Sequence, residues 1–200
     1  IVLGRDERLE MLIIALPGVS CSIPLHIVLE GEGARANVGG VYLCPSDERL
    51  DISVTMEHKV GGCVSNQDFK GIVGGTAQVG FYGRIVVAHD AQKTEAYQAN
   101  NNLLLTDTAK VTTRPQLEIY ADDVKCSHGA TVGQLDDAAL FYMRQRGIPM
   151  HEARLLLMFA FVNEVIDTIR LDALRDRLHL LVEKRFRGEL NKCQGCAICK

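Results

Sequence analysis

Apolar and polar residues alternate in short runs along the first two-thirds of the chain, and no helical stretch separates those runs. "LDISVTMEHKV" (50–60) sets Leu50, Ile52, Val54 and Met56 on one face of an extended segment and polar side chains on the other. Similar runs recur at "GRIVVA" (83–88), "NNLLLT" (101–106), "AKVTT" (109–113), "QLEIY" (116–120) and "VKCSH" (124–128), with Gly, Asn and Asp between them. Without helical patterns between strands an alternating β-α-β design is disfavoured, which leaves a sandwich, a barrel or a β-helix. The later runs are short, closely set and joined by turns. "QANNNLLLTD" places Asn100, Asn101 and Asn102 together, read as a polar stack at a corner where coils lie over one another. These features favour a parallel β-helix over a sandwich, although no strict repeat can be counted.

After residue 134 the period becomes 3.6. Asp136 is placed to cap a helix, with Leu135 and Leu140 as a hydrophobic staple. Arg144 and Arg146 suit the C-terminal end of that helix, and Gly147 supplies a left-handed stop. Pro149 opens a second helix, whose buried stripe is read as Leu155, Phe159, Val162, Ile166 and Ile169. A third is expected from about Asp172 to Phe186, with Leu174, Leu178, Leu181 and Val182 on one face. The expected organisation is a mainly β core over 1–133, a helical domain over 134–190 and a cysteine-rich tail over 191–200. The chain opens inside a β-like pattern on Ile1, so an N-terminal truncation of the core is expected.

Composition narrows the function. A net charge of −3, no Trp and 6% aromatic residues argue against nucleic acid as a partner. "LLLMFAFV" (155–162) is far short of the ~20 residues that cross a bilayer, so no membrane association is expected. Seven irregularly spaced cysteines do not resemble a secreted disulfide framework, which points to the cytoplasm.

Cys126 and His128 stand two apart on an extended segment and therefore share a face with Val124. A thiolate and an imidazole suit iron and other borderline metals. Metal sites usually need about four ligands, so the remainder must come from another coil, a substrate or a second chain. The same two side chains could instead fill the β-helix interior, the histidine satisfied by a carbonyl. Cys21, Cys44 and Cys63 lie in or beside apolar runs and are read as core. His58 is read as structural or surface, and His26, His89, His151 and His179 show no partner in the sequence.

The segment "DAQKTEAYQANNNLLLTDTAKVTTRPQLEIYADDVKCSHGATVGQLDDAALFYMRQRGI" (90–148) closely resembles the SufB/SufD family of the SUF iron–sulfur cluster assembly system. "KCSHGATVG" is of the SufD type, and "LEGEGARANVGGVYL" and "HKVGGCVSNQDFKGIVGG" are also similar to the family. The resemblance extends to about residue 186. It implies a right-handed parallel β-helix followed by a C-terminal helical domain, in a non-catalytic scaffold. It implies pairing with a SufB-like paralogue through the β-helix and docking of the ATPase SufC on the helices. It further implies that His128, with Cys126 beside it, belongs to a cluster-assembly interface. No cofactor is expected to be held permanently, only a transient iron–sulfur cluster or iron. No GxxxxGK[ST] segment is present, so no P-loop is expected in the chain itself. An exposed end coil makes a homodimer the expected state of the isolated chain.

"NKCQGCAICK" (191–200) carries Cys193, Cys196 and Cys199 in a C-x2-C-x2-C array that the family pattern does not require. The spacing matches three of the four ligands of a ferredoxin-type cluster and also suits zinc. A stand-alone metal or redox carrier built on this tail is the alternative function. A polysaccharide-acting β-helix enzyme fits poorly, because the acidic residues are scattered among turns and caps such as Asp122, Asp123, Asp136 and Asp137.

Overall fold

The computed structural model describes residues 1–187 apart from Pro17 and Val19. The chain divides into two compact units, Ile1–Gln134 and a second beginning at Leu135. Among its described residues the first holds ten strands: β1 (Val2–Leu3), β2 (Arg8–Ala15), β3 (Ser20–Leu29), β4 (Arg35–Cys44), β5 (Arg49–His58), β6 (Val64–Val73), β7 (Gln78–Val87), β8 (Glu95–Leu104), β9 (Lys110–Ile119) and β10 (Lys125–Gly133). They form two parallel five-stranded sheets, in the orders β1-β3-β5-β7-β9 and β10-β8-β6-β4-β2. Each strand pairs with the next but one in sequence, which is the connectivity of a parallel β-solenoid. The β-helix expected from the sequence is the fold of this unit.

A coil period exists that the sequence pattern hides. Ser20 lies beside Arg49, Arg49 beside Gln78 and Arg35 beside Val64, each a step of 29 residues. Later steps are a few residues longer, as in Val64 beside Glu95 and Glu95 beside Lys125. The strands are also longer than the alternating runs. "AKVTT" and "QLEIY" are one strand, β9, which continues through Pro115. Pro115 is tolerated because β9 is the edge of its sheet, where a missing N–H breaks no ladder on the far side.

Alternate residues of every strand face the interior and stack into columns. Leu50, Ile52, Val54 and Met56 of β5 are fully buried, as are Phe81, Ile85 and Val87 of β7. Phe69 packs on Phe81 with ring centroids 5.0 Å apart. The asparagines do not mark a corner: Asn100 and Asn102 lie within β8 and are buried in the interior. Asn102 Nδ2 donates to Asn100 Oδ1 at 2.9 Å, Asn100 Nδ2 donates to Tyr42 Oη at 2.9 Å, and the Tyr42 hydroxyl donates to Asn102 Oδ1. Gly71 makes this ring of bonds sterically feasible. It lies in register between Tyr42 and Asn102, and a Cβ there would sit 2.0 Å from the Tyr42 ring. Burial pushes the Tyr42 phenol well above its ordinary range, and the bond with Asn100 offsets part of that.

The second unit contains α1 (Asp137–Gln145), α2 (Met150–Ile166) and α3 (Asp172–Phe186). Asp136 Oδ1 accepts the Ala138 N–H at 2.8 Å, as its capping position predicts, and Gly147 takes φ +86° at the stop. The α2 stripe needs correction. Its buried residues are Ala153, Leu155, Met158, Val162, Val165 and Ile166, while Phe159 stacks edge-on with Phe186 at 5.0 Å. Ile169 lies beyond the helix end and is half-buried. On α3 only Val182 is fully buried, and Leu174 is exposed.

Three histidines have partners that the sequence does not show. His26 Nε2 lies 3.0 Å from Glu57 on the next coil, and the two rings nitrogens of His179 lie 3.0 Å from Asn163 Oδ1 and 2.9 Å from Asp167 Oδ1. His89 also meets its neighbour Asp90 at 3.2 Å. Cys44 and Cys63 are buried as expected, but Cys21 is exposed. Cys21 sits near the start of β3 with Leu50 on one side, and β1 covers β3 only at Val28 and Leu29.

Candidate functional site

β9 and β10 end the solenoid, each the last strand of its sheet. The geometry of β10 follows from its pairing with β8: Cys126 lies beside Ala96, His128 beside Gln98, Ala130 beside Asn100 and Val132 beside Asn102. All four β8 residues belong to interior columns, so the register assigns Cys126 and His128 to interior-phase positions of the last coil. One column reads Ala36, Ser65, Ala96, Cys126 and the next Val38, Gln67, Gln98, His128. Within each, the first three residues are buried and the fourth is not. Cys126 is half-buried and packs against the core with Val124, whereas His128 is exposed.

The last coil is held from outside by charged contacts. Arg84 donates from Nε to Glu118 Oε1 at 2.8 Å and from Nη2 to Glu118 Oε2 at 2.6 Å, joining β7 to β9. Lys125 Nζ meets Glu95 at 3.0 Å, joining β10 to β8. These pairs raise the pKa values of both cations and lower that of Glu118, and being exposed they contribute little stability. From inside, Asn102 Nδ2 donates to the Thr131 carbonyl at 3.3 Å.

Burial raises the Cys126 thiol above its ordinary value, opposed in part by a backbone hydrogen bond at Ala96. The group is therefore a neutral thiol near pH 7, and a metal that bound it would have to displace a proton. No group of three or more His, Cys, Asp or Glu side chains able to hold a metal ion occurs among the described residues. Cys126 and His128 thus share a face of one strand and lack a third ligand among those residues. Cys193, Cys196 and Cys199 lie outside the described residues.

Two other reactive groups of the solenoid, His58 and Cys63, are interior. His58 is 1% exposed, and its Nε2 lies 2.8 Å from Ser65 Oγ. Burial lowers its pKa from 6.5 to about 4, so it is neutral in the fold. Cys63 Sγ contacts the Gly31 carbonyl at 3.3 Å, and burial raises its pKa. The sequence reading overlooked Gln98, a buried amide next to His128 in the same column. The roughly 30-residue coil step, counted back from His128, would have found it.

The first unit is a parallel β-solenoid whose last coil carries Cys126 and His128 on one face of β10. Residues 1–161 match the model of the SUF system FeS cluster assembly SufBD core domain, and the chain belongs to that family. It is 41% identical over 160 residues to the iron–sulfur cluster assembly protein SufD of Escherichia coli, covering 80% of this chain and 38% of that protein. It is 44% identical over 184 residues to an iron–sulfur cluster assembly SufBD family protein of Synechocystis, covering 91% of this chain and 40% of that protein. Bacillus subtilis SufD is 31% identical over 185 residues, covering 92% and 42%. The chain therefore spans well under half the length of these relatives. No described helix is long and apolar enough to cross a membrane.

Proposed function

We propose that this chain is a cytoplasmic, non-catalytic scaffold subunit of SUF iron–sulfur cluster assembly, and that the last coil of its solenoid is a cluster-assembly interface. The observation that carries the reading is the ligand count: Cys126 and His128 share an open coil, and no third metal-binding side chain joins them among the described residues. Two ligands are too few to hold a cluster alone, so a partner that brings the rest is required. Family membership supplies the candidate partner, a SufB-like paralogue meeting this coil. The helical unit is assigned to docking of the ATPase SufC, whose hydrolysis would supply the energy for rearrangement. In isolation the open coil is expected to pair with a second copy of this chain. Iron and sulfide are cargo here, not resident cofactors.

Reconstituting the complex with the paralogue and the ATPase, then supplying iron and sulfide, tests this reading. His128→Ala is expected to lower the cluster yield roughly tenfold or more while subunit capture persists. Undiminished yield would sink the assignment of His128.

The C-x2-C-x2-C spacing supports a second reading, a metal or cluster site at Cys193, Cys196 and Cys199. Anaerobic reconstitution of the chain beside a triple Cys→Ser variant separates the two readings. Equal iron and sulfide content in both would end the second.

A further inference from the structure

β10 is the edge of its sheet, with β8 as its one strand neighbour among the described residues. Little side-chain packing holds it just past His128: Gly129 and Ala130 follow, and a Cβ on Gly129 would meet nothing within 4 Å. Thr131 comes next, and two successive residues of β8 grip it from the two faces of the sheet. On the outer face its hydroxyl donates to Asn101 Oδ1 at 2.8 Å. On the inner face Asn102 Nδ2 donates to its carbonyl at 3.3 Å. At the start of β10, Lys125 Nζ meets Glu95 at 3.0 Å. Cys126 and His128 therefore stand between two fastened points.

Asn102 is itself anchored in the core by the ring of bonds with Asn100 and Tyr42. Two main-chain carbonyls, which only accept, fix the direction of that ring. Asn100 Nδ2 faces the Phe69 carbonyl at 3.5 Å, and Asn102 Nδ2 faces the Thr131 carbonyl. Flipping the Asn102 amide would set its oxygen against the Thr131 oxygen. Both protons of this amide are thus used, one on Asn100 and one on Thr131, and its oxygen accepts from Tyr42. Tyr42 and Asn100 are fully buried and Asn102 is 2% exposed. A buried polar network with every member satisfied makes its surroundings rigid. This one reaches from β4 through β8 to the backbone of β10.

We infer that Asn102 is a positioning residue for the ligand-bearing strand: with Asn101 it clasps Thr131, and it ties the backbone that carries Cys126 and His128 to the rigid core through Tyr42. This rests on the reading of His128 as a ligand of the assembling cluster. Ligands must be held to within about 0.5 Å for productive geometry. An edge strand with one ladder opens more readily than the strands inside the stack. A site whose remaining ligands arrive on another subunit therefore needs its own strand fixed beforehand. The residue types suit that task, since Thr131 presents a hydroxyl on one face and a carbonyl on the other, and an asparagine meets each.

Amide hydrogen exchange of the metal-free chain reads the opening of β10 without any cluster chemistry. Thr131→Val removes the outer bond at an exposed position, and Asn102→Leu removes the inner one with little change of shape. Each is expected to speed exchange of the β10 amides that pair with β8 by about 3–10-fold relative to the amides of β4 and β6. Should Asn102→Leu fail to fold, Tyr42→Phe serves in its place, because it unties Asn102 and leaves its donor present. Unchanged exchange in β10 would overturn the inference, and so would an acceleration shared equally by β4, β6 and β10, which marks a general loss of stability. In the reconstituted complex, the 15N hyperfine coupling of His128 to the cluster is expected to weaken in Asn102→Leu, or in Tyr42→Phe if that variant stands in. A merely structural role would lower the number of clusters and leave the coupling in each one unchanged, which would also overturn the inference. Undiminished cluster yield in His128→Ala would sink the ligand reading of His128, whereas the exchange result concerns the Asn101–Asn102 clasp alone.

Discussion

His58 and His128 occupy the same kind of position, an interior-phase site on a solenoid strand, yet they live in opposite environments. His58 belongs to a middle coil. It lies in register between Leu29 and Val87, is 1% exposed, and spends its Nε2 on Ser65. His128 belongs to the last coil, has Gln98 on one side and no strand of the described residues on the other, and is exposed. A solenoid turns identical local geometry into core or into working surface merely by where the stack stops. The interior histidine becomes a fixed, neutral group; the terminal one stays exposed.

The largest effect separating the two is in acid. The His58 pKa falls from 6.5 to about 4 in the fold. The unfolded chain therefore takes up a proton below pH 6.5 that the folded chain refuses. The stability attached to the neutral ring is complete above pH 6.5 and is lost as pH falls toward 4. The loss is roughly 3 kcal/mol. Urea unfolding between pH 7 and pH 4 should show it, and His58→Leu should flatten that slope. An unchanged slope would mean that the ring is not held neutral.

A smaller difference sharpens the same contrast with one residue type. Val79 is 3% exposed in a middle coil, and its register partner Val111 is half-buried in the last one. Val79→Ala should cost about 2 kcal/mol, and Val111→Ala about half that. Equal costs would show that the last coil is as well covered in solution as the middle ones. Smallest of all, His128→Ala should change stability by less than about 0.5 kcal/mol.

The sequence made the strand period, the parallel β-helix and the capped helices legible because each is a local pattern. Asp136 and Gly147 announce a helix with their own side chains and torsions. It also isolated Cys126 and His128, since two ligand types two apart on a strand share a face. What it concealed depends on stacking. Residues 29 or 31 apart become neighbours without resembling one another, so Tyr42, Gly71 and Asn102 form one column with three different roles. The same stacking hid the contact of His26 with Glu57, the exposure of Cys21 on a thinly covered coil, and Gln98 beneath His128. Pro115 split one strand into two apparent runs because edge position cannot be read from a single strand.

The central claim is that the terminal coil offers an incomplete ligand set which a second subunit completes. Nitrogen hyperfine spectroscopy of a reduced, reconstituted cluster tests it most directly, with 15N-histidine confined to this chain and an unlabelled paralogue. The account predicts a 15N coupling that appears only with the paralogue present and vanishes in His128→Ala. A coupling that survives His128→Ala, or a cluster that forms on this coil without the paralogue, would contradict it.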